Sequence, residues 1–242
     1  MTIRLGIDFG TTRTVVAAQE DGNYPVCTFS REGEAKEYIP TLAAVKEGIL
    51  YFGWDAVDCL NQPDTYVLRS MKRLAGHLRP EDPVDLGPDF SITLLELVSL
   101  FLVHVRQAIL KQGSIPLRKK ESIEVMVASP ANANSNQRYI TLEAFRRAGF
   151  TVLGAMNEPS AAAVEFLHRY LRNLGPKSPK RYVAVYDLGG GTFDTSVVGI
   201  AEQNHDVVAH EGIGRLGGDD FDEIILNLAL EQMGLGPETL TP

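Results

Sequence analysis

The chain is poor in cysteine, holds a single tryptophan, and has no surplus of positive charge. Two cysteines, Cys27 and Cys59, cannot staple a 242-residue scaffold, and their spacing fits neither a metal-ligand pair nor a Cys-x-x-Cys redox site. Reduced thiols in a reducing compartment are expected. Lysine and arginine number 23 against 31 acidic residues, a net charge of −8. That balance argues against general binding to a nucleic-acid backbone, which needs a basic footprint. No apolar run is long enough for a membrane span. The most apolar stretch, Leu94 to Leu110, is broken by Glu96, His104 and Arg106, whereas a span takes ~20 apolar residues. The start Met1-Thr2-Ile3-Arg4 enters a strand pattern at once, without the charged start, apolar stretch and cleavage site of a signal peptide. A cytoplasmic protein without membrane or nucleic-acid partners is expected. A Walker-type Gly-Lys-Ser/Thr entry to a helix is also missing.

What is present is an ordinary globular composition, 44% hydrophobic and 22% charged; at ~150 residues per domain the length suits one large domain or two smaller ones. Apolar runs predict strands at Ile3–Asp8, Thr14–Ala18, Tyr24–Phe29, Ala43–Val45, Leu50–Phe52, Ile123–Ala128 and Val152–Met156. Further strands are expected at Tyr182–Tyr186, Phe193–Ile200 and near Asp206–His210. Helices are expected over Tyr66–Leu74, Asn134–Ala148, Pro159–Leu171 and Phe221–Met233. A long buried helix should run to Gln112 from the capping box Thr93-Leu94-Leu95-Glu96. Gly149 reads as a left-handed helix stop, and Pro80–Pro88 as a loop. The best linker is the Gly-Pro-Lys-Ser-Pro-Lys stretch from Gly175.

One internal echo organises the chain. Ile3-Arg4-Leu5-Gly6-Ile7-Asp8-Phe9-Gly10-Thr11-Thr12 is repeated in type by Tyr182-Val183-Ala184-Val185-Tyr186-Asp187-Leu188-Gly189-Gly190-Gly191-Thr192. Each copy is an apolar strand, then Asp, an apolar residue, Gly and Thr, then another strand. Glycine turns let a backbone approach a ligand closely, and successive N–H groups there make an anion nest. An aspartate beside a phosphate needs a cation between them, and Mg²⁺ suits carboxylate and phosphate oxygens. Either loop alone reads equally well as a plain hairpin. The pair, with Asp194 added in Asp-Leu-Gly-Gly-Gly-Thr-Phe-Asp, reads as a polyphosphate clamp.

At this point the sequence resembles the nucleotide-binding domain of the heat-shock protein 70 (DnaK-type) chaperones, from Ile3 to about Leu228. Four segments carry the resemblance beyond the loops: Met71-Lys72-Arg73-Leu74-Ala75-Gly76, Ser129-Pro130-Ala131, Asn157-Glu158-Pro159-Ser160-Ala161-Ala162-Ala163, and Leu216-Gly217-Gly218-Asp219-Asp220-Phe221-Asp222. The loops alone would also suit actins and sugar kinases, and a metabolite kinase is the weakest of three readings. The resemblance implies an α/β, actin-like ATPase (ribonuclease-H-like) fold with its first lobe complete and its second partial. The first lobe is expected at residues 1–174 with a small subdomain inserted at about 37–92, a linker at 175–181, and the partial second lobe at 182–242.

By resemblance, Gly10, Thr11 and Thr12 hold phosphates of ATP or ADP from the first lobe, and Gly189, Gly190, Gly191 and Thr192 from the second. Asp8 and Asp194 belong to the outer shell of a hydrated Mg²⁺. Lys72 places the attacking water, with Glu158, Asp187 and Thr192 completing the catalytic set. Each has a plainer alternative. Lys72 sits in a Lys-Arg pair typical of surface charge, Glu158 could favour a helix dipole, and Asp8 and Asp187 could satisfy turn amides. Pro130 and Arg138 resemble the relay from nucleotide state to a partner domain.

Departures from the family pattern are Arg13 after Gly-Thr-Thr, Asn132-Ala133 in place of an aromatic pair, and a shortened stretch between Lys72 and Pro130. The family's domain continues beyond the last motif, and that continuation supplies the adenine pocket. For the chain in isolation the expectation is weak nucleotide binding with little or no turnover, and self-association through apolar surface left uncovered. A longer parent protein would act as an ATPase on unfolded client peptides with co-chaperones. The alternative is a catalytically weak, nucleotide-responsive binding module.

Overall fold

The computed structural model describes residues 2–115, 122–170, 181–200, 206–214 and 216–236. The chain divides into two compact units, Met1–Glu158 and Pro159–Pro242. Residues 175–180 of the expected linker lie outside the described residues.

The first unit begins with β1 (Thr2–Phe9), β2 (Arg13–Ala18), β3 (Phe29–Arg31), β4 (Glu34–Lys36), β5 (Ile39–Pro40), β6 (Leu42–Lys46) and β7 (Ile49–Phe52). It continues through α1 (Gly53–Asp58), β8 (Thr65–Arg69), α2 (Met71–Leu74), β9 (Pro83–Asp85), β10 (Ser91–Thr93) and α3 (Leu94–Gln112). It closes with β11 (Ser122–Ser129), α4 (Ser135–Arg147) and β12 (Thr151–Asn157). Five strands form a mixed sheet in the order β12-β11-β1-β2-β5. β1, β11 and β12 run parallel, while β2 folds back antiparallel on β1. Alternation decides which face is buried: Leu5, Ile7 and Phe9 point inward, as do Ile123, Val125 and Val127.

That buried face packs against α3, whose Leu94, Leu97, Val98, Phe101, Leu102 and Val105 are at most 1% exposed. The Thr93 hydroxyl accepts from the Glu96 amide at 3.4 Å, so the helix starts where the capping box places it. Phe101 sits at the centre, 5.7 Å from the Phe9 ring and 5.8 Å from Phe52. Gly149 takes φ +85° just beyond α4, as a left-handed stop.

Three local expectations are corrected. Tyr66–Leu74 is not one helix: Thr65–Arg69 pairs with β6 as a strand, Ser70 turns at φ +57°, and only Met71–Leu74 is helical. Tyr, Val and Thr favour a pleated surface, and cross-strand packing on β6 overrides the helical pattern. Tyr24–Phe29 is not a strand of its own: Val26 makes an isolated bridge to Ala17 and Phe29 one to Gly113, only Phe29 joins a ladder, that of β3, and Pro25 has no N–H to give one. Pro80–Pro88 is not all loop: Pro83–Asp85 pairs with Ser91–Thr93, with proline at the first strand position.

The second unit holds most of α5 (Glu158–Tyr170), then β13 (Tyr182–Leu188), β14 (Phe193–Gly199), β15 (Val207–Ile213) and α6 (Gly218–Met233). Its three strands form an antiparallel meander. Val198 and Ser196 are buried, whereas Phe221, Ile224, Ile225 and Leu228, one stripe of α6, are 41–64% exposed.

His104 tests the packing of α3. Burial lowers its pKa from 6.5, and the nearby Asp55 charge only partly opposes this. The folded ring therefore stays neutral at a pH where the unfolded ring takes up a proton. Its contribution to stability is complete above about pH 6.5 and falls as pH drops below that value. Urea unfolding followed by the fluorescence of Trp54 should show a lower midpoint at pH 5.5 than at pH 7.5. His104→Gln should flatten that difference, and an unchanged pH dependence would contradict the assignment.

Candidate functional site

The two hairpins of the internal echo have the same construction. Phe9 pairs with Thr14 and Leu188 with Phe193, so each hairpin closes through four residues, Gly10–Arg13 and Gly189–Thr192. Gly10 donates to the Arg13 carbonyl at 3.0 Å, and Gly189 to the Thr192 carbonyl at 2.9 Å. A Cβ at Gly10 would meet the Arg13 oxygen at 2.5 Å, so this turn excludes any side chain there. Among the described residues, the amides of Thr11, Thr12, Gly190 and Thr192 have no acceptor. Open amides on a glycine turn are what an anionic oxygen needs.

In the first unit, β1 and β12 end on the same edge of the sheet, because they run parallel. Gly10 follows one strand end and Glu158 the other. Ligands of open α/β sheets bind outside the carboxyl ends of strands. Lys72 joins this edge from α2: its Nζ donates to Glu158 Oε1 at 2.7 Å and sits 6.0 Å from the Phe9 ring centroid. The Lys72 side chain is 9% exposed and that of Glu158 20%. Asp8 stands exposed one residue before Phe9, opposite Val15.

The short α2 is held from both sides. Ser70 enters it in the left-handed region, uncommon for a residue with a side chain, and Met71 is fully buried. The Asn134 amide donates to the Gly76 carbonyl at 3.2 Å, while its oxygen caps α4 at the Gln137 amide, 2.7 Å away. Asn136 donates to the carbonyls of Ala75 at 3.3 Å and Leu78 at 2.6 Å.

In the second unit, Asp187 lies directly opposite Asp194 across β13 and β14. Like charges so placed repel unless a cation or donor intervenes. The start of α6 rests on the glycine loop, backbone on backbone: Gly218 donates to Gly189 at 3.0 Å and Asp219 to Gly190 at 2.8 Å. A Cβ at Gly217 would lie 2.5 Å from the Gly190 carbonyl carbon and the Gly191 nitrogen, so only glycine permits this approach. Among the described residues no group of three or more His, Cys, Asp and Glu could hold a metal. Mg²⁺ does not require such a cage, since it keeps several waters and binds through one or two carboxylates.

A family model described as Hsp70 protein matches residues 107–236, more than half of the chain. The chain belongs to the Hsp70 family. It is 30% identical over 245 residues to the chaperone protein HscA of Yersinia enterocolitica, covering 95% of this chain and 38% of that one. It is 33% identical over 231 residues to the chaperone protein DnaK of Mycoplasmoides gallisepticum, covering 95% and 36%. Against the DnaK of Mycoplasmopsis pulmonis it is 34% identical over 227 residues, covering 93% and 34%. The chain thus spans little more than a third of the length of these relatives and corresponds to the nucleotide-binding domain of the Hsp70 family.

Within each unit the residues named from the sequence are brought together: Asp8, Gly10, Lys72 and Glu158 around one strand edge, and Asp187, Gly189–Thr192 and Asp194 around the other hairpin. Arg13, a departure from the Hsp70 pattern, lays its guanidinium 4.5 Å over the Tyr38 ring. Arg138 donates to the carbonyls of Ala133 at 3.1 Å and Ala131 at 3.5 Å, holding the turn after Pro130. A cleft of about 370 Å³ lies elsewhere in the first unit, lined by Arg31, Trp54, Asp55, His104, Gln107 and Lys111. It contains no glycine loop and none of the sequence-named residues. Sequence reasoning missed Ser70, Asn136, His210 and Gly212, whose roles depend on contacts distant in sequence.

The buried pair predicts an asymmetric response to substitution. Glu158→Ala strands the Lys72 ammonium and should cost about 3 kcal/mol of stability. Lys72→Met, which keeps the packing on Phe9, should cost less because Glu158 retains some access to water. Combining the two should recover part of the Glu158→Ala loss in a double-mutant cycle read by urea denaturation. Strict additivity would show that the two side chains do not depend on each other.

Proposed function

We propose that this chain is the ATP-binding module of an Hsp70-type chaperone, built on the actin-like ATPase fold with a complete first lobe and a partial second lobe. The proposed division is a first lobe at 1–174 with a small subdomain at about 37–92, a linker at 175–181 and the second lobe at 182–242. The single observation that carries the reading is the pair of matching four-residue loops, each closed by the same glycine hydrogen bond and each presenting open amides.

The residues fit a nucleotide polyphosphate. The amides and hydroxyls of Thr11 and Thr12, and the amides of Gly190 and Thr192, would receive phosphate oxygens. Asp8 and Asp194 would accept from the waters of Mg²⁺, which when bound neutralises phosphate charge. Lys72, oriented by Glu158, would hold the water that attacks the terminal phosphate; for Asp187 and the Thr192 hydroxyl of the second unit, the family resemblance implies a part in the same reaction. Phosphoryl transfer depends on such positioning more than on covalent chemistry by the protein. A reducing, cytoplasmic setting accords with two buried, free cysteines. Client peptides and co-chaperones would be served by the longer protein.

For the chain itself, calorimetric titration should show Mg²⁺·ADP binding weaker than micromolar. In a full-length form, Lys72→Ala should lower ATP turnover by roughly 100-fold, the scale of a lost positioning group. Turnover equal to wild type would sink the role given to Lys72. Binding without any phosphate release would leave the binding-module reading.

The exposed α6 stripe supports self-association of this chain. Sedimentation velocity should give a weight-average mass that rises with concentration. A monodisperse monomer at high concentration would remove that part of the proposal.

A further inference from the structure

Beside the glycine loop of the second unit, three polar side chains share one face of β14 and β15. Ser196 pairs directly with His210, and Asp194 with Gly212. The Ser196 Oγ lies 3.0 Å from His210 Nδ1, and His210 Nε2 lies 3.4 Å from Asp194 Oδ1. The His210 and Asp194 side chains are 18% and 19% exposed. The carboxylate rests over Gly212, where an added Cβ would come within 2.3 Å of Oδ1.

This trio has the composition of a hydrolase triad but not its accessibility. Ser196 is only 2% exposed, so its hydroxyl cannot meet a substrate. Its bond to His210 instead sets the ring. A carboxylate only accepts, so the nitrogen facing Asp194 must carry the proton. Nδ1 is then the acceptor, and the Ser196 hydroxyl donates to it. His210 Nε2 is buried, and among the described residues it lacks a full hydrogen bond. Buried polar atoms rarely stay so, and Asp194 is the group within reach.

We infer that His210, oriented by Ser196, is a positioning residue that holds Oδ1 of Asp194 over Gly212 and leaves Oδ2 for the hydrated cation of the nucleotide site. The contact among the three side chains stands on its own distances; the clause about the cation rests on the function proposed above. Gly212 is part of the device, since any side chain there would displace the carboxylate.

The test is ¹⁵N NMR of the histidine rings in the full 242-residue chain at pH 8, where an ordinary ring is neutral. His210 should show one tautomer, protonated at Nε2. Asp194→Asn and Ser196→Ala should each move its signals toward those of a freely exchanging imidazole. Signals that already average in the wild type, or that neither substitution moves, overturn the positioning role. Addition of Mg²⁺·ADP should shift the His210 signals in the wild type and not in Asp194→Asn, and His210→Gln should retain more of the Mg²⁺ dependence of ADP affinity than His210→Ala. Wild-type signals that stay put while ADP binds remove the cation clause. If the chain gives no heat with Mg²⁺·ADP, nucleotide binding belongs to the longer protein and the cation clause is removed from this chain, and the tautomer measurement still decides the role of His210.

Discussion

A lysine ammonium inside a protein is tolerated only beside a compensating charge, and much of the first unit is arranged so that Lys72 has one. Glu158 must stand at the end of β12, and α2 must deliver Lys72 over the Phe9 ring. The four residues of α2 cannot sustain themselves as an isolated helix. They are held instead by the buried Met71 and by Asn134 and Asn136, whose amides take the carbonyls that follow the helix. Phe9 is held in turn by Phe101 from α3. The core and the charged site are therefore one mechanical system: the ring beneath the ammonium is the ring that α3 packs against.

The second unit builds its site differently, by the closeness of backbones rather than by a charge pair. Gly217 brings the start of α6 onto Gly190 and Gly191, and two amide-to-carbonyl bonds hold it there. Asp219 and Asp220 occupy the first turn, where the helix dipole favours negative charge. Glycine does similar work under Asp194, where Gly212 leaves room for a carboxylate. One acidic side chain, that of Asp194, is thus packed on a surface that carries no Cβ.

Much of this was legible in the residues themselves. The alternation of β1 and β11, the capping box at Thr93 and Glu96, and the stop at Gly149 are local signals, and the structure obeys them. Tyr66–Leu74 misleads because a helical spacing of apolar residues says nothing of β6, the strand that Thr65–Arg69 pairs with. Lys72 and Glu158 could be associated only through a family resemblance, since 86 residues separate them and neither carries a local mark of the other. His210 and Gly212 gave no signal at all. Their meaning depends on the register of β14 against β15, which shifts between Val197 and Val198.

The two matching loops also protect a register. Side chains alternate faces along a strand, so the pairing of Phe9 with Thr14 decides which way all of β2 points. A slip of that pairing by one residue would turn Val16 and Ala18 out to water and bring Val15 and Ala17 inward. The pairing of Leu188 with Phe193 likewise keeps Asp194, Ser196 and Val198 on a single side. In both hairpins the tip is free to differ, Thr-Thr-Arg in one and Gly-Gly-Thr in the other, while the pairing that flanks it is not. An evolutionary insertion at either tip would have to be taken up inside the turn.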